Sequence, residues 1–203
     1  DCSFHAHDNG TIGHMVSTYA IRLYAWSAYA FCDDSLQSTM NGYFDVDSRF
    51  EWLDKIIRPK LLELKTLQEK ISFTEQVLFK RLSDVRENTV VNDTIQNILI
   101  NKGSLDIAKL AKESFVSTRQ LERLFHEYVG ITPKKLSNLI RYQFLWRDIL
   151  CEPDFDVLSA VYKFGYTDQS HLLREFKRYH SMDIHNAKIM AFKDVGNIQD
   201  VFV

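Results

Sequence analysis

Apolar residues recur every three or four positions over most of the chain beyond residue 47, the spacing that puts one face of a helix against a core. Before residue 47 the pattern differs. Tyr19-Ala-Ile-Arg-Leu-Tyr24 is aromatic and partly alternating, as in a strand. Asn9-Gly10 and Asn41-Gly42 are turn signals. Residues 1–46 therefore read as a few strands and turns, too few to close a barrel. From Asp47 the pattern turns helical. Pro59 is expected to break or start a helix after Ile56-Ile57, followed by a stripe of Leu61, Leu62, Leu64 and Leu67. Phe73, Val77, Leu78, Leu82 and Val85 mark a helix over 73–86, and Ile95, Ile98, Leu99 and Ile100 another over 92–101. Gly103 stands where a C′ residue belongs, and Ser104 reads as the next cap. The remainder is helical by period, at 105–113, 117–128, 133–150, 155–163, 168–179 and 184–193, with Pro133 suited to a first turn. The expected fold class is mainly α. A small partial domain of strands and then helices (1–90) precedes an all-α domain (91–203).

Two of these helices repeat one pattern. Leu121, Arg123, Phe125 and Tyr128 match Leu172, Arg174, Phe176 and Tyr179 at an offset of 51 residues, and Ser117 and Asp168 are both good N-caps. Each copy follows a short turn after a shorter helix, so two helix-turn-helix units are expected at about 105–129 and 156–180. In the first, Leu105, Ile107, Ala108, Leu110 and Ala111 supply the packing helix and Ser114-Phe115-Val116 the turn. Leu121, Leu124, Phe125 and Tyr128 then share one apolar face, leaving Arg119, Glu122, Arg123 and His126 opposite. In the second, Val157, Leu158, Val161 and Tyr162 pack, and Phe164-Gly165-Tyr166 turns. Gln169, Ser170, Leu173, Arg174 and Lys177 face outward.

Such units lay their second helix in the major groove of double-stranded DNA. The outward residues suit base readout. Arg grips guanine with two bonds, Gln does the same for adenine, and an apolar side chain touches the thymine methyl. Residues near the start of a reading helix reach deepest. That favours Thr118, Arg119, Glu122, Arg123, Gln169, Ser170, Leu173 and Arg174 for base edges. Lys134, Lys135, Lys177 and Arg178 suit phosphates, which position the protein without specifying sequence. The helix from Pro133 to Leu150 would span roughly 27 Å at about 1.5 Å per residue, near the roughly 34 Å between successive major grooves on one DNA face.

Composition narrows the alternatives. The 203 residues are 45% hydrophobic and 26% charged, an ordinary globular balance. No run is long and apolar enough to span a bilayer, so no membrane partner is expected, and no signal peptide is visible. The first residue is Asp, which suggests a clipped or processed start. Net charge is −2, so a nucleic-acid role must rest on where charges sit. Residues 1–103 carry 11 Lys and Arg against 14 Asp and Glu, and residues 104–203 carry 14 against 13. Three scattered cysteines, Cys2, Cys32 and Cys151, suit a reducing, cytoplasmic setting. Cys2, His5, His7, Asp8 and His14 are metal-compatible residue types, but their spacing fits no strong zinc template. Neither Cys2 nor Cys32 has an activating cation beside it in sequence. No phosphate loop, nucleophile elbow or carboxylate pair appears, so no catalytic residue, resident metal or cofactor is expected. Two other readings stay open: a helical protein-interaction module without DNA binding, and a metal sensor or enzyme built on the N-terminal Cys/His group.

The strings Leu110-Ala111, Ser117-Thr-Arg-Gln-Leu121-Glu-Arg-Leu-Phe125, Gly130-Ile-Thr-Pro133, Arg141 and Phe164-Gly-Tyr-Thr-Asp-Gln-Ser-His171, then Arg174-Glu-Phe176, carry a resemblance. Residues 104–193 resemble the DNA-binding domain of AraC/XylS-family transcription regulators, and residues 19–82 resemble the end of a poorly characterised sensor found in one branch of that family. The resemblance implies a bacterial, cytoplasmic regulator of the activator type that binds double-stranded DNA. It also implies a homodimer formed through the N-terminal region, RNA polymerase as a protein partner and a small-molecule effector. The family's base-reading positions correspond to Arg119, Glu122, Arg123, Gln169, Ser170, Leu173 and Arg174. The chain departs from the pattern at three places. Ser114-Phe115 replaces the usual Gly of the first turn, Ser181-Met-Asp-Ile184 a Gly-x-x-Pro string, and Ala160-Val161 an Ile-Ala pair.

Overall fold

The computed structural model of the chain describes residues 2–7, 16–24, 26–32, 44–83 and 88–193. Among them run β1 (Cys2–His7), β2 (Val16–Ile21), a 3-10 turn (Ala28–Ala30), and helices α1 (Val46–Arg49), α2 (Glu51–Glu63), α3 (Leu67–Ser83) and α4 (Thr89–Ile100). Then follow α5 (Ile107–Glu113), α6 (Thr118–Tyr128), α7 (Pro133–Cys151), α8 (Val157–Lys163), α9 (Gln169–His180) and α10 (Ile184–Lys193). The protein is mainly helical, as its periodicity predicts. The chain divides into two compact units: residues 1–89 with 122–131, and residues 90–121 with 132–203.

In the first unit β1 and β2 form an antiparallel ladder in which Cys2 faces Ile21 and His7 faces Val16. The strand expected at 19–24 is centred three residues earlier. Cys2, His5 and His7 lie on β1, and their side chains, like Asp8 and His14, lie outside the described residues. The rest of the unit is built on polar anchors to apolar helices. The Tyr19 hydroxyl donates to the buried Thr74 hydroxyl on α3 at 2.9 Å. Trp52 on α2 donates its indole N–H to the Phe31 carbonyl at 2.7 Å and stacks on the Phe31 ring. Arg81 on α3 covers the Trp52 ring and donates to the Ala30 carbonyl at 3.2 Å. Tyr29 meets Tyr128, at the end of α6, edge to face at 5.1 Å.

Two expectations for this region are corrected. Pro59 does not break a helix, because α2 runs through it to Glu63. Proline forfeits one N–H bond and crowds the carbonyl four residues back. The stripe of Leu53, Ile57 and Leu61 continues on both sides of it, and the burial of Leu53 and Ile57 sustains the helix. Leu62 is not part of that stripe; it is 84% exposed, and the helix ends two residues later with Leu64 extended.

The second unit has a continuous core of Leu145, Trp146 and Ile149 from α7, Ala160 and Val161 from α8, Leu172 and Phe176 from α9, and Ala187 from α10. The starts of α5, α7, α8 and α9 are each fixed by a side chain. Thr132 caps α7 with Pro133 in its first turn, Asp156 caps α8, and Asp168 caps α9 through the His171 N–H at 2.7 Å. Asp106, not Ser104, caps α5, accepting from Ala108 and Lys109. Ser104 instead abuts Gly165, where an added Cβ would come within 2.3 Å of its hydroxyl. Gly103 ends α4 with φ +74, donates to the Ile98 carbonyl at 2.8 Å and accepts from the buried Ser137 hydroxyl at 2.7 Å. Any Cβ there would strike the α7 backbone, 2.1 Å from the Ser137 carbonyl oxygen.

Candidate nucleic-acid interface

The two helix-turn-helix units share a local design. In each, a seven-residue helix ends in a left-handed residue, and a second helix, the one expected to be the reading helix, begins at a capped N-terminus. After α5 the left-handed residue is Phe115 (φ +55), and the Val116 N–H reaches back to the Ala111 carbonyl at 3.1 Å. After α8 it is Gly165 (φ +65), and the Tyr166 N–H reaches back to the Val161 carbonyl at 2.9 Å. Each is the long bond of a Schellman motif. The packing helices and turns thus correspond at an offset of 50 residues and the reading helices at 51. Thr167 is the extra residue, inserted before the second cap.

The starts of the reading helices differ in chemistry. Ser117 and Gln120 form a reciprocal capping box, in which the Gln120 N–H donates to the Ser117 hydroxyl and the Ser117 N–H to the Gln120 side-chain oxygen. At α9 the Asp168 carboxylate does this alone. Both devices leave the leading turn pointing into solvent with its polar side chains uncommitted to the core.

The inward faces are as the periodicity requires. Leu121, Phe125, Leu172 and Phe176 are fully buried. Leu124, Tyr128 and Tyr179 are half-buried. Thr118, Arg119, Glu122, Arg123, Gln169, Ser170, Leu173 and Arg174 are all exposed, as are Lys134, Lys135, Lys177 and Arg178. His126, expected among the outward residues, is half-buried with its Nδ1 out of solvent.

Sequence reading missed what holds α9 in place. Arg141, buried on α7, grips Glu175 of α9 with two nitrogens at 2.8–3.2 Å. The Tyr166 hydroxyl donates to the same carboxylate at 2.9 Å, and the Arg141 guanidinium lies over the Tyr166 ring at 4.2 Å. Burial, with Glu175 next in weight, pushes the Tyr166 hydroxyl pKa far up, so it stays a proton donor. His171 stands edge-on to Tyr166 at 5.3 Å with its Nε2 4.0 Å from Glu175. Arg141 and Glu175 both stand in the strings that carry the family resemblance, but no local pattern pairs them. A second ion pair ties Lys163 of α8 to the buried Asp148 of α7 at 2.6 Å. Near the end of α9, His180 sits among Tyr142, Trp146 and Phe176, with ring centroids 4.2–5.7 Å away. Burial lowers its pKa.

Among the described residues no group of three or more His, Cys, Asp or Glu could hold a metal ion, and no helix is long and apolar enough to cross a membrane.

The family described as helix-turn-helix domain matches residues 110–186. No curated protein matches the chain. One solved structure that does is a transcriptional regulator from Chromobacterium violaceum described among AraC-type DNA-binding domain-containing proteins. It is 19% identical, covering 49% of this chain and 89% of its own, with a TM-score of 0.44.

Proposed function

We propose that the chain, whose residues 110–186 match the helix-turn-helix domain family, is a sequence-specific, effector-responsive transcription regulator of the AraC/XylS type that reads double-stranded DNA with both α6 and α9. The observation that carries the reading is the coincidence of two things on each helix. One face is anchored by a buried leucine and phenylalanine, while the face opposite presents an arginine beside other base-compatible side chains near a capped start. Arg123 and Arg174 take guanine, Gln169 takes adenine, and Leu173 touches thymine methyls. Thr118, Arg119, Glu122 and Ser170 complete the base-facing set. Lys134, Lys135, Lys177 and Arg178 contact phosphate and set register.

The two faces are chemically unequal, since Glu122 occupies the position that Leu173 holds 51 residues later. A single chain therefore prefers an asymmetric site. The finer attributes rest on the family resemblance alone: activator action, a bacterial cytoplasmic setting, homodimerisation through the N-terminal region, contact with RNA polymerase, and control by a small molecule. Titration of the full chain against mixed genomic fragments tests DNA binding. Log affinity should fall linearly with log salt, with a slope of about 0.9 per phosphate contacted. No binding at low salt would leave the interaction-module reading in its place.

A further inference from the structure

The first unit contains a cleft of about 640 Å³, bounded by β2, α1, α2 and the first turn of α3. The volume falls within the roughly 300–1,000 Å³ usual for small-molecule sites. Its walls are mostly apolar, with Ile21, Leu23, Phe50, Leu53 and Leu61 among them. Three charged side chains interrupt them: Asp54, Arg58 and Lys70. Two of the three satisfy each other, because Arg58 binds the Asp54 carboxylate at 2.7 Å one turn away. Lys70 is half-buried, and among the described residues no carboxylate pairs with it. Its own turn of helix is held still, since the Tyr19 hydroxyl bridges the Lys70 carbonyl at 3.3 Å and the buried Thr74 hydroxyl at 2.9 Å.

An apolar cleft with one uncompensated ammonium at its wall is complementary to a molecule with the inverse layout. We propose that this cleft binds a small amphipathic monoanion, an aliphatic or aromatic body with a single carboxylate that pairs with Lys70. The lining carries one net positive charge, so one negative head balances it. A low-dielectric wall strengthens that pairing relative to water. A neutral lipid-like molecule would leave Lys70 half-buried without an anion, and a dianion would leave one negative charge unbalanced among apolar walls. This names a ligand class for the effector-responsive reading and rests on that reading for the effect on DNA, but not for binding itself.

The test is calorimetric titration of the full chain with octanoate and with 1-octanol, in the absence of DNA. Octanoate should bind about tenfold more tightly than octanol, the scale expected of one partly buried charge-assisted contact. Lys70→Met should abolish that preference while leaving octanol binding in place. Leu61→Trp, filling the half-buried wall, should abolish both, with far-UV circular dichroism confirming that each variant folds. Equal affinities in the unaltered chain, a preference that survives Lys70→Met, or no octanoate binding overturns the site. So does octanoate binding that weakens as protein concentration rises, which would assign the cleft to a second copy of the chain. A chain that binds octanoate and no DNA keeps the site and overturns the regulator reading. One that binds DNA and no octanoate does the reverse.

Discussion

The two helix-turn-helix units solve the same problem with different chemistry. Both must hold a short helix in a left-handed turn and then aim a second helix outward. The unit at 157–180 does so without backbone strain, because Gly165 carries no Cβ penalty at φ +65. The unit at 107–128 places Phe115 at φ +55, and that ring is 97% exposed. A bulky side chain in the left-handed region is unfavourable. The contrast continues along the reading helices. At the position where α9 carries Glu175, bound by Arg141 and Tyr166, α6 carries the half-buried Leu124. One helix is aimed by a directional ionic clamp and the other by non-directional apolar burial. The lesson is that a repeated sequence pattern does not require the supports beneath its two copies to be alike.

Breaking the clamp is the sharpest way to test that difference. Arg141→Met leaves the Glu175 carboxylate without its main partner in a nearly dry site, and loss of one partner of a buried ion pair costs about 3–5 kcal/mol. Urea unfolding of the full chain should show that loss for Arg141→Met and for Glu175→Gln. Replacing both partners by apolar residues of similar volume should recover much of it. An equally large effect from Leu124→Val, a change of about 0.5–1.5 kcal/mol for one lost methylene, would erase the distinction between the two units.

Next in size are the reading residues. On the proposed function, Arg123→Ala and Arg174→Ala each cost about 1–3 kcal/mol in DNA affinity. The cost should fall on different base pairs for the two variants. Competition with base-substituted duplexes separates this from Lys177→Ala, which should weaken all sequences alike and reduce the salt slope by about one contact.

Much of this is legible in the sequence, for identifiable reasons. The C-terminal helices follow from a strong 3.6-residue period and unambiguous stops. The observed α7, α9 and α10 lie within a residue of their expected limits. Exposure of the outward residues follows from the same period. The clamp is hidden because Arg141 and Glu175 lie 34 residues apart, and no local pattern pairs them. Ser104 reads as a cap because it is a good capping type after Gly103, while Asp106, two residues later, captures two N–H groups instead. Pro59 reads as a break because its intrinsic cost is high, whereas tertiary burial of Leu53 and Ile57 overrides it.

The turns offer a smaller, sign-reversing comparison. Phe115→Gly relieves the left-handed strain and should raise stability by several tenths of a kcal/mol to about 1 kcal/mol. Gly165→Ala introduces that strain and presses on Ser104, and should lower stability by about 1–2 kcal/mol. Thermal unfolding monitored by circular dichroism reads both. Shifts of the same sign would show that the turns are not equivalent.

The smallest effect expected is a pH dependence from His180. Burial lowers its folded-state pKa below the ordinary value of about 6.5. The unfolded chain therefore takes up the proton first as the pH falls. The contribution of neutral His180 is complete above about pH 6.5 and is lost as the pH drops through and below that value. His180→Phe, which keeps the ring among Tyr142, Trp146 and Phe176, should flatten that part of the stability profile.

Whether one chain reads two unlike blocks of DNA with two helices is decided by letting the full chain select from a random pool of double-stranded sequences. An asymmetric motif with two separate blocks is expected, with Arg123→Ala relaxing one block and Arg174→Ala the other. A symmetric or single-block motif, or no enrichment at all, would contradict it.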